Sequence, residues 1–344
     1  MTPDGPAVAG GAVRTGTPVA PRGRRGRTAV DLPDLVARAR DGEARAVARL
    51  ISLVEDASPL LREVAAALAP HTGSAQVLGL TGAPGVGKST TTAAMVRALR
   101  AAGRRVGVLA VDPSSPFSGG ALLGDRVRMQ DHAGDPGVYI RSMASRGHLG
   151  GLAWATPQAL RVLDAAGCDV VLVETVGVGQ SELEIASLAD TTLVLVAPGT
   201  GDGIQAAKAG ILEVADVLVV NKADRDGADA TVRDLRHGQS LGGRHTAPGA
   251  WRPPVVPTVA SRDEGVDRVL AEVEAHRRWL SGSGEGARRR AERAAREVEA
   301  IALAGLRERI AEVRGSVALA ALAGEVVAGR TDPYRAADRL LASL

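Results

Sequence analysis

The sequence predicts an α/β fold: a doubly wound, mostly parallel sheet with an N-terminal helical arm and a C-terminal helical extension. Three observations predict it. Short, near-continuous apolar runs recur along the middle of the chain. Segments with helical spacing separate them. Glycines and acidic residues gather just after several of the runs, where strands hand over to loops. Strands that are apolar throughout are strands covered on both faces, as in a parallel sheet sandwiched by helices. Such sheets bind ligands beyond the C-terminal ends of their strands.

The elements are taken in chain order. Residues 1–28 are rich in Gly, Pro, Ala and Arg, have no periodicity, and are expected to form a disordered tail. Their basic cluster, Arg22, Arg24, Arg25 and Arg27, reads as a solvated tail. Residues 29–72 form the expected arm. Leu32, Leu35 and Ala39, then Val47, Leu50, Ile51 and Val54, then Leu61, Val64 and Leu68 follow helical spacing.

Residues 73–280 hold the sheet. Strands are expected at Val77–Thr81, Arg105–Asp112, Val138–Ser142, Asp169–Glu174, Thr191–Ala197, Asp216–Asn221 and Val255–Val259, with helices at Lys88–Ala102, Leu152–Ala166 and Gln205–Glu213. Ser281-Gly282-Ser283-Gly284 reads as a flexible break. Residues 281–344 are the helical extension, marked by Leu303, Leu306, Ile310, Val313 and Val317 and by a helix start at Thr331-Asp332-Pro333. This piece is too small for a large core of its own and is expected to pack on the main domain or on another subunit.

Composition removes several function classes. The formal charge of +3 is too small to argue for nucleic acid, and no basic patch is interleaved with aromatics. One cysteine, Cys168, supports neither an intrachain disulfide nor a Cys-based metal site. The six His show no metal-ligand spacing. No apolar run reaches the roughly 18 residues needed to span a bilayer. The N-terminus lacks a secretory apolar stretch. It is Arg-rich and acid-poor like a transit peptide, but Gly and Pro spoil an amphipathic helix there, so a cytoplasmic location is expected.

Of 42 basic residues only Lys88, Lys208 and Lys222 are lysines, and Asn221 is the sole asparagine. A chain that uses Arg for generic positive charge marks its lysines as candidates for work needing a compact ammonium on a flexible stem.

Gly82-Ala83-Pro84-Gly85-Val86-Gly87-Lys88-Ser89 matches the phosphate-binding loop G-x-x-x-x-G-K-[ST], and it lies between an apolar strand and a helix as that motif requires. The glycines let backbone amides of Gly85, Val86, Gly87 and the first helical residues, to Thr90, point at phosphate oxygens. Lys88 is expected to reach the β- and γ-phosphates and the Ser89 hydroxyl to bind Mg2+.

Asn221-Lys222-Ala223-Asp224 closes another apolar strand. The Asp224 carboxylate can accept both N1–H and the exocyclic amine of guanine, a donor pair that adenine lacks. Asn221 can tie loops together, and the Lys222 stem can lie over the purine. The two motifs together predict GTP with Mg2+. The residues after Thr258 occupy the position where a backbone amide supports guanine O6, placed here at Ala260.

Asp112 and Glu174 end strands on the same edge. Each is expected to bind Mg2+, directly or through water, or to orient the attacking water. Glu174 stands in Glu174-Thr175-Val176-Gly177, where the usual pattern is Asp-x-x-Gly, and its longer side chain favours a water-mediated contact. The loop Pro113–Met129 is a candidate switch, and Asp125 is its second metal-side carboxylate or a surface acid. Lys208 follows the glycine-rich loop Pro198–Ile204 and is either a phosphate-sensing residue or a solvated helix lysine. Gln180 either positions water or serves its own loop.

VDPSS…GGALLGDRVRMQ, LVETVGVGQSE and PGTGDGIQAAKAGILEVADVLVVNKAD together resemble the MeaB/ArgK family, methylmalonyl-CoA mutase-associated P-loop GTPases in the class of the signal-recognition and nickel-chaperone GTPases. The resemblance runs from about Leu32 to Leu344. It implies a homodimer built partly by the C-terminal extension. It implies a partner, an adenosylcobalamin-dependent acyl-CoA mutase, whose cofactor loading the GTPase gates and which it protects. By matching positions, it gives Asp112, Asp125, Glu174 and Lys208 the nucleotide-responsive and catalytic roles. The alternatives are a kinase of an amino-acid transport system and a nickel-insertion GTPase, the latter disfavoured by the lone Cys168 and scattered His.

Overall fold

The computed structural model describes residues 31–56, 58–112, 132, 134–144, 155–175, 181–199, 212–241, 249–313 and 317–342, and the side chains among these except those of 112, 144, 181–183, 212, 241 and 307–313. The expected tail, the loop Pro113–Met129 with Asp125, Gln180, and Lys208 with most of its loop lie outside the described residues.

Seven strands form one sheet: β1 (Gln76–Thr81), β2 (Val106–Asp112), β3 (Val138–Ala144), β4 (Val170–Thr175), β5 (Thr191–Val196), β6 (Val217–Asn221) and β7 (Val255–Thr258). Every pairing is parallel, and the order is β3-β2-β4-β1-β5-β6-β7. All seven match expected runs to within two residues at either end. β4 lies between β1 and β2, with Leu80 opposite Glu174. That register sets Glu174 beside the end of the strand that feeds the glycine loop.

Alternation along each strand divides the apolar residues between two faces. On one face, Leu109 and Val111 of β2 and Val171 and Val173 of β4 join a core with the N-terminal arm. The arm is three helices, α1 (Leu32–Arg40), α2 (Ala44–Glu55) and α3 (Leu61–Leu68), ended by a 3-10 turn at Ala69–His71. Asp31 caps α1, its carboxylate accepting the Asp34 amide at 3.2 Å, and Pro33 fits the first turn, where no amide donor is needed. Leu50, Ile51 and Val54 recur on one side of α2 and are all buried. α5 (Thr156–Ala165) and α6 (Ser181–Leu188) complete this layer, contributing Ala159, Leu163 and Ile185.

On the opposite face, Val106 and Val108 of β2, Leu172 of β4, and Leu193 and Leu195 of β5 meet Met95 and Val96 of α4 (Lys88–Ala101) and Val266, Val269 and Val273 of α8 (Val266–Ser283). α7 (Ala228–Leu241) packs Leu235 against Val194, Leu218 and Val220. A single turn at Leu212–Val214 is the described end of the helix expected at Gln205–Glu213.

The C-terminal extension holds α9 (Glu285–Val313), α10 (Val317–Val327) and α11 (Pro333–Ala342). The break expected at 281–284 is narrower than the composition suggests. α8 runs through Ser283, and Gly284 alone, at φ 75°, turns the chain into α9. Asp332 starts α11 by accepting the amides of Tyr334 and Arg335, each at 3.0 Å.

α9 is clasped to the N-terminal edge of the sheet. Arg289 donates to Asp216, just before β6, at 3.2 Å. Arg293 donates to Asp190, just before β5, at 3.2 Å. Glu297 accepts from Arg161 and Gln158 of α5. The two aspartates also button strands together: Asp190 accepts the Val77 amide at 2.9 Å and Asp216 the Thr192 amide at 2.8 Å. Beside them the fully buried His276 of α8 meets the Thr191 hydroxyl through Nδ1 at 2.9 Å, and its Nε2 lies 3.3 Å from Asp216. Among the described residues, no helix is long and apolar enough to cross a membrane.

Candidate functional site

The C-terminal ends of β1, β4, β6 and β7 bring together the residues that the sequence singled out. After β1 the chain turns back at Gly82, with φ 138°. A Cβ there would lie 2.2 Å from the Leu195 carbonyl oxygen of β5. At Gly87, φ is 99° and a Cβ would lie 2.3 Å from Asn221 Nδ2. Both positions therefore demand glycine, for the left-handed backbone and for the close approach of the neighbouring strand ends. Gly87 leads directly into α4, so the loop ends on a helix N-terminus, where unpaired amides and the helix dipole favour an anion.

Lys88 and Ser89, the first residues of α4, are both buried. The Lys88 ammonium curls back over the loop, donating to the carbonyls of Gly82 at 2.8 Å and Ala83 at 3.1 Å. Thr90 follows on α4, half-buried. The Ser89 hydroxyl donates to Glu174 Oε1 at 2.6 Å, and the Thr92 hydroxyl lies 3.1 Å from Oε2. Glu174 is only 3% exposed, so a carboxylate sits behind the hydroxyl expected to meet the cation. Asp112 is the last residue of β2, on the same sheet edge.

The second motif lies against the first. Asn221, buried at the end of β6, donates through Nδ2 to the Val86 carbonyl at 2.8 Å. Its Oδ1 accepts the Thr258 hydroxyl at 3.2 Å and the Ala260 amide at 3.1 Å. One side chain thus ties the glycine loop, the β6 loop and the β7 loop together. The Ala260 amide, expected near guanine O6, is turned to Asn221 here. Lys222 adopts φ 59°, a left-handed conformation uncommon outside glycine, and its ammonium donates to the Gly85 carbonyl at 2.6 Å. Asp224 is half-exposed, and its Oδ2 accepts from Arg262 at 2.7 Å.

The sequence reading missed three contributors. Thr92 gave a faint signal, one turn beyond Lys88 on the same helix face. Thr258 was marked only as the start of the loop that carries Ala260, and Arg262 gave no signal, because their partners are set by how β6 and β7 pair.

The residues present suit a magnesium-bound nucleoside triphosphate. Gly82 and Gly87 leave no room for a Cβ, which keeps the loop's backbone in its tight curl, and an anion-directed helix start follows it. Ser89 and Glu174 offer oxygen donors of the kind a hard cation takes. Sheet order, glycine loop and base motif define the chain as a P-loop protein of the GTPase kind.

Comparison with known proteins gives the family. Residues 47–314 match the model of the methylmalonyl Co-A mutase-associated GTPase MeaB, and the chain belongs to that family. A GTPase-family protein of Pyrococcus abyssi is 46% identical over 317 residues, 90% of this chain and 96% of the relative. GTPase ArgK of Escherichia coli is 38% identical over 258 residues, 74% of this chain and 78% of the relative. The methylmalonic aciduria type A homolog of Mus musculus, named as mitochondrial, is 35% identical over 264 residues, 72% and 64% of the two chains. Among solved structures, a LAO/AO transport system kinase superposes with a TM-score of 0.67 at 28% identity, covering 90% of this chain and 96% of that one.

Proposed function

We propose that this protein binds GTP with Mg2+, hydrolyses it, and uses the cycle to gate cofactor loading of an adenosylcobalamin-dependent acyl-CoA mutase in the cytoplasm. The observation that carries the reading is the Asn221 bridge, which ties the phosphate loop to the base motif and to the β7 loop.

In this reading, amides from Gly85 to Thr90 and the Lys88 ammonium hold the β- and γ-phosphates and offset the charge that builds as water attacks in line. Ser89 holds the cation, with Glu174 behind it and Asp112 and Asp125 as further carboxylates. Magnesium, when bound, neutralises charge between the phosphates. Asp224 reads guanine, Lys222 lies along the base, and Ala260 closes the base pocket. Lys208 reports the γ-phosphate.

The family's description as methylmalonyl Co-A mutase-associated supports the choice of partner. A homodimer through the extension is supported by Val298, Ile301, Leu303 and Leu306 of α9, which expose 68%, 43%, 45% and 52% of their surface. Val317, Leu319 and Val327 of α10 and Tyr334 and Leu341 of α11 are exposed as well, and apolar surface gathered on one extension marks an interaction region.

The test is GTP turnover with and without the mutase, together with capture of the mutase on a non-hydrolysable GTP analogue. Stimulated turnover and nucleotide-dependent capture are expected; unchanged turnover defeats the gating role. Label from the γ-phosphate appearing on an acceptor, rather than as free phosphate, would favour the kinase reading. Sedimentation of Ile301→Arg, expected to be monomeric, tests the dimer.

A further inference from the structure

We infer that Arg262 is a built-in competitor for the guanine-reading carboxylate, and so sets how tightly and how long a guanine nucleotide is held. The inference rests on Asp224 being the base reader.

The chemistry of the two ligands is alike. The edge of guanine that Asp224 would recognise, N1–H beside the C2 amine, is a guanidine fork. The side chain of Arg262 is also a guanidinium, and a carboxylate accepts either one through the same lone pairs. Arg262 Nη2 donates to Asp224 Oδ2 at 2.7 Å. It therefore presents to the base site the donor type that the base itself would bring.

Arg262 stands between two acids. Its Nη1 lies 3.5 Å from Glu264 Oε1, so a second carboxylate, outside the base motif, is within reach when Asp224 is taken. Arg262 ends the short helical turn after β7, and only its side chain has to move.

The ion pair is not what holds the two loops together. The Ala223 amide donates to the Thr258 carbonyl at 3.0 Å. Asn221 Oδ1 separately accepts from Thr258 and Ala260. The Arg262–Asp224 contact is thus an addition to a junction that is already tied, and its effect falls on the carboxylate. Arg262 is 55% and Asp224 42% exposed, so solvent screens the pair. Screened pairs are worth little, at most a few-fold in an equilibrium constant. That strength suits an occupant that tunes affinity without shutting the site.

The experiment measures GDP affinity and release on the full chain with a fluorescent GDP analogue, at low and high salt. The proteins are the natural one, Arg262→Gln, Glu264→Gln, Asp224→Asn, and Arg262→Gln combined with Asp224→Asn. Removing the competitor should tighten GDP about two- to fivefold, mainly through slower release, and salt should narrow the gain. Glu264→Gln, which removes the alternative partner, should weaken GDP. In the Asp224→Asn background, Arg262→Gln should no longer matter. The proposal is overturned if Arg262→Gln leaves GDP affinity unchanged or lowers it while Asp224→Asn still turns preference towards xanthosine nucleotides. If Asp224→Asn keeps its guanosine preference, the base assignment fails, and the competitor with it.

Discussion

Asn221 Nδ2 donates to the carbonyl of Val86, 135 positions earlier in the chain, at 2.8 Å. The same amide group meets the β7 loop through its oxygen. Replacing Asn221 with Ala leaves the Val86 carbonyl and the Ala260 amide without their buried partner, and each orphaned group costs about 1–3 kcal/mol. Asn221→Ala should therefore lower unfolding free energy by an amount of that order in urea titration. It should also weaken GTP binding, because the glycine loop and the base loop lose their common anchor.

Lys88→Ala should abolish nucleotide binding or hydrolysis. The ammonium is buried against the loop it serves, and no other lysine lies in that motif. Titration with a fluorescent GTP analogue and release of free phosphate are the measurements. Full turnover in the variant would remove the phosphate loop from the mechanism.

Glu174→Gln keeps the shape of the side chain and removes its charge from behind Ser89. Groups that back a metal ligand typically contribute ten- to a hundredfold in affinity. The magnesium concentration giving half-maximal GTP hydrolysis should rise by roughly tenfold or more. GDP binding in EDTA should hardly change.

Asp224→Asn should move preference from guanosine to xanthosine triphosphate, because xanthine carries an oxygen at C2 where guanine carries an amine. Competition between the two triphosphates for one labelled nucleotide reads this directly.

His276 gives a pH dependence of stability. Burial pushes its pKa down to about 3 from the ordinary 6.5, helped by the nearby Arg289 charge. The folded protein keeps the ring neutral, while the unfolded chain takes up a proton below pH 6.5. The unfolded state therefore binds more protons between pH 6.5 and 3, and the contribution of His276 is lost as pH falls through that window. Burial raises the pKa of Asp216, against the pull of Arg289, and this acts in the opposite sense. His276→Gln should flatten the acid limb of stability, by at most about 1.4 kcal/mol per pH unit. Urea midpoints measured from pH 7 to pH 4 check it.

The strands were readable because both faces of the sheet are covered. Val170 to Val173 is apolar without a break, and neighbouring residues go to opposite cores. The phosphate loop was readable because its glycines answer to local backbone geometry. The insertion of β4 between β1 and β2 was not readable, since strand order is decided by pairing partners far apart in sequence. Arg262 was hidden for the same reason: its acid arrives from β6, a neighbour only after folding. The break at 281–284 was overestimated because Ser and Gly together suggest a linker, whereas the helix tolerates them until Gly284 supplies the positive φ.

The clasp on α9 ends at Glu297, and the helix continues to Val313. At 1.5 Å per residue that leaves an overhang of roughly 24 Å. Its attachment to the sheet lies at Asp190 and Asp216, through Arg293 and Arg289. A load applied at its tip reaches the feet of β5 and β6, at the end of the sheet opposite the phosphate loop. β6 runs directly from its foot, just after Asp216, to Asn221 beside the phosphate loop.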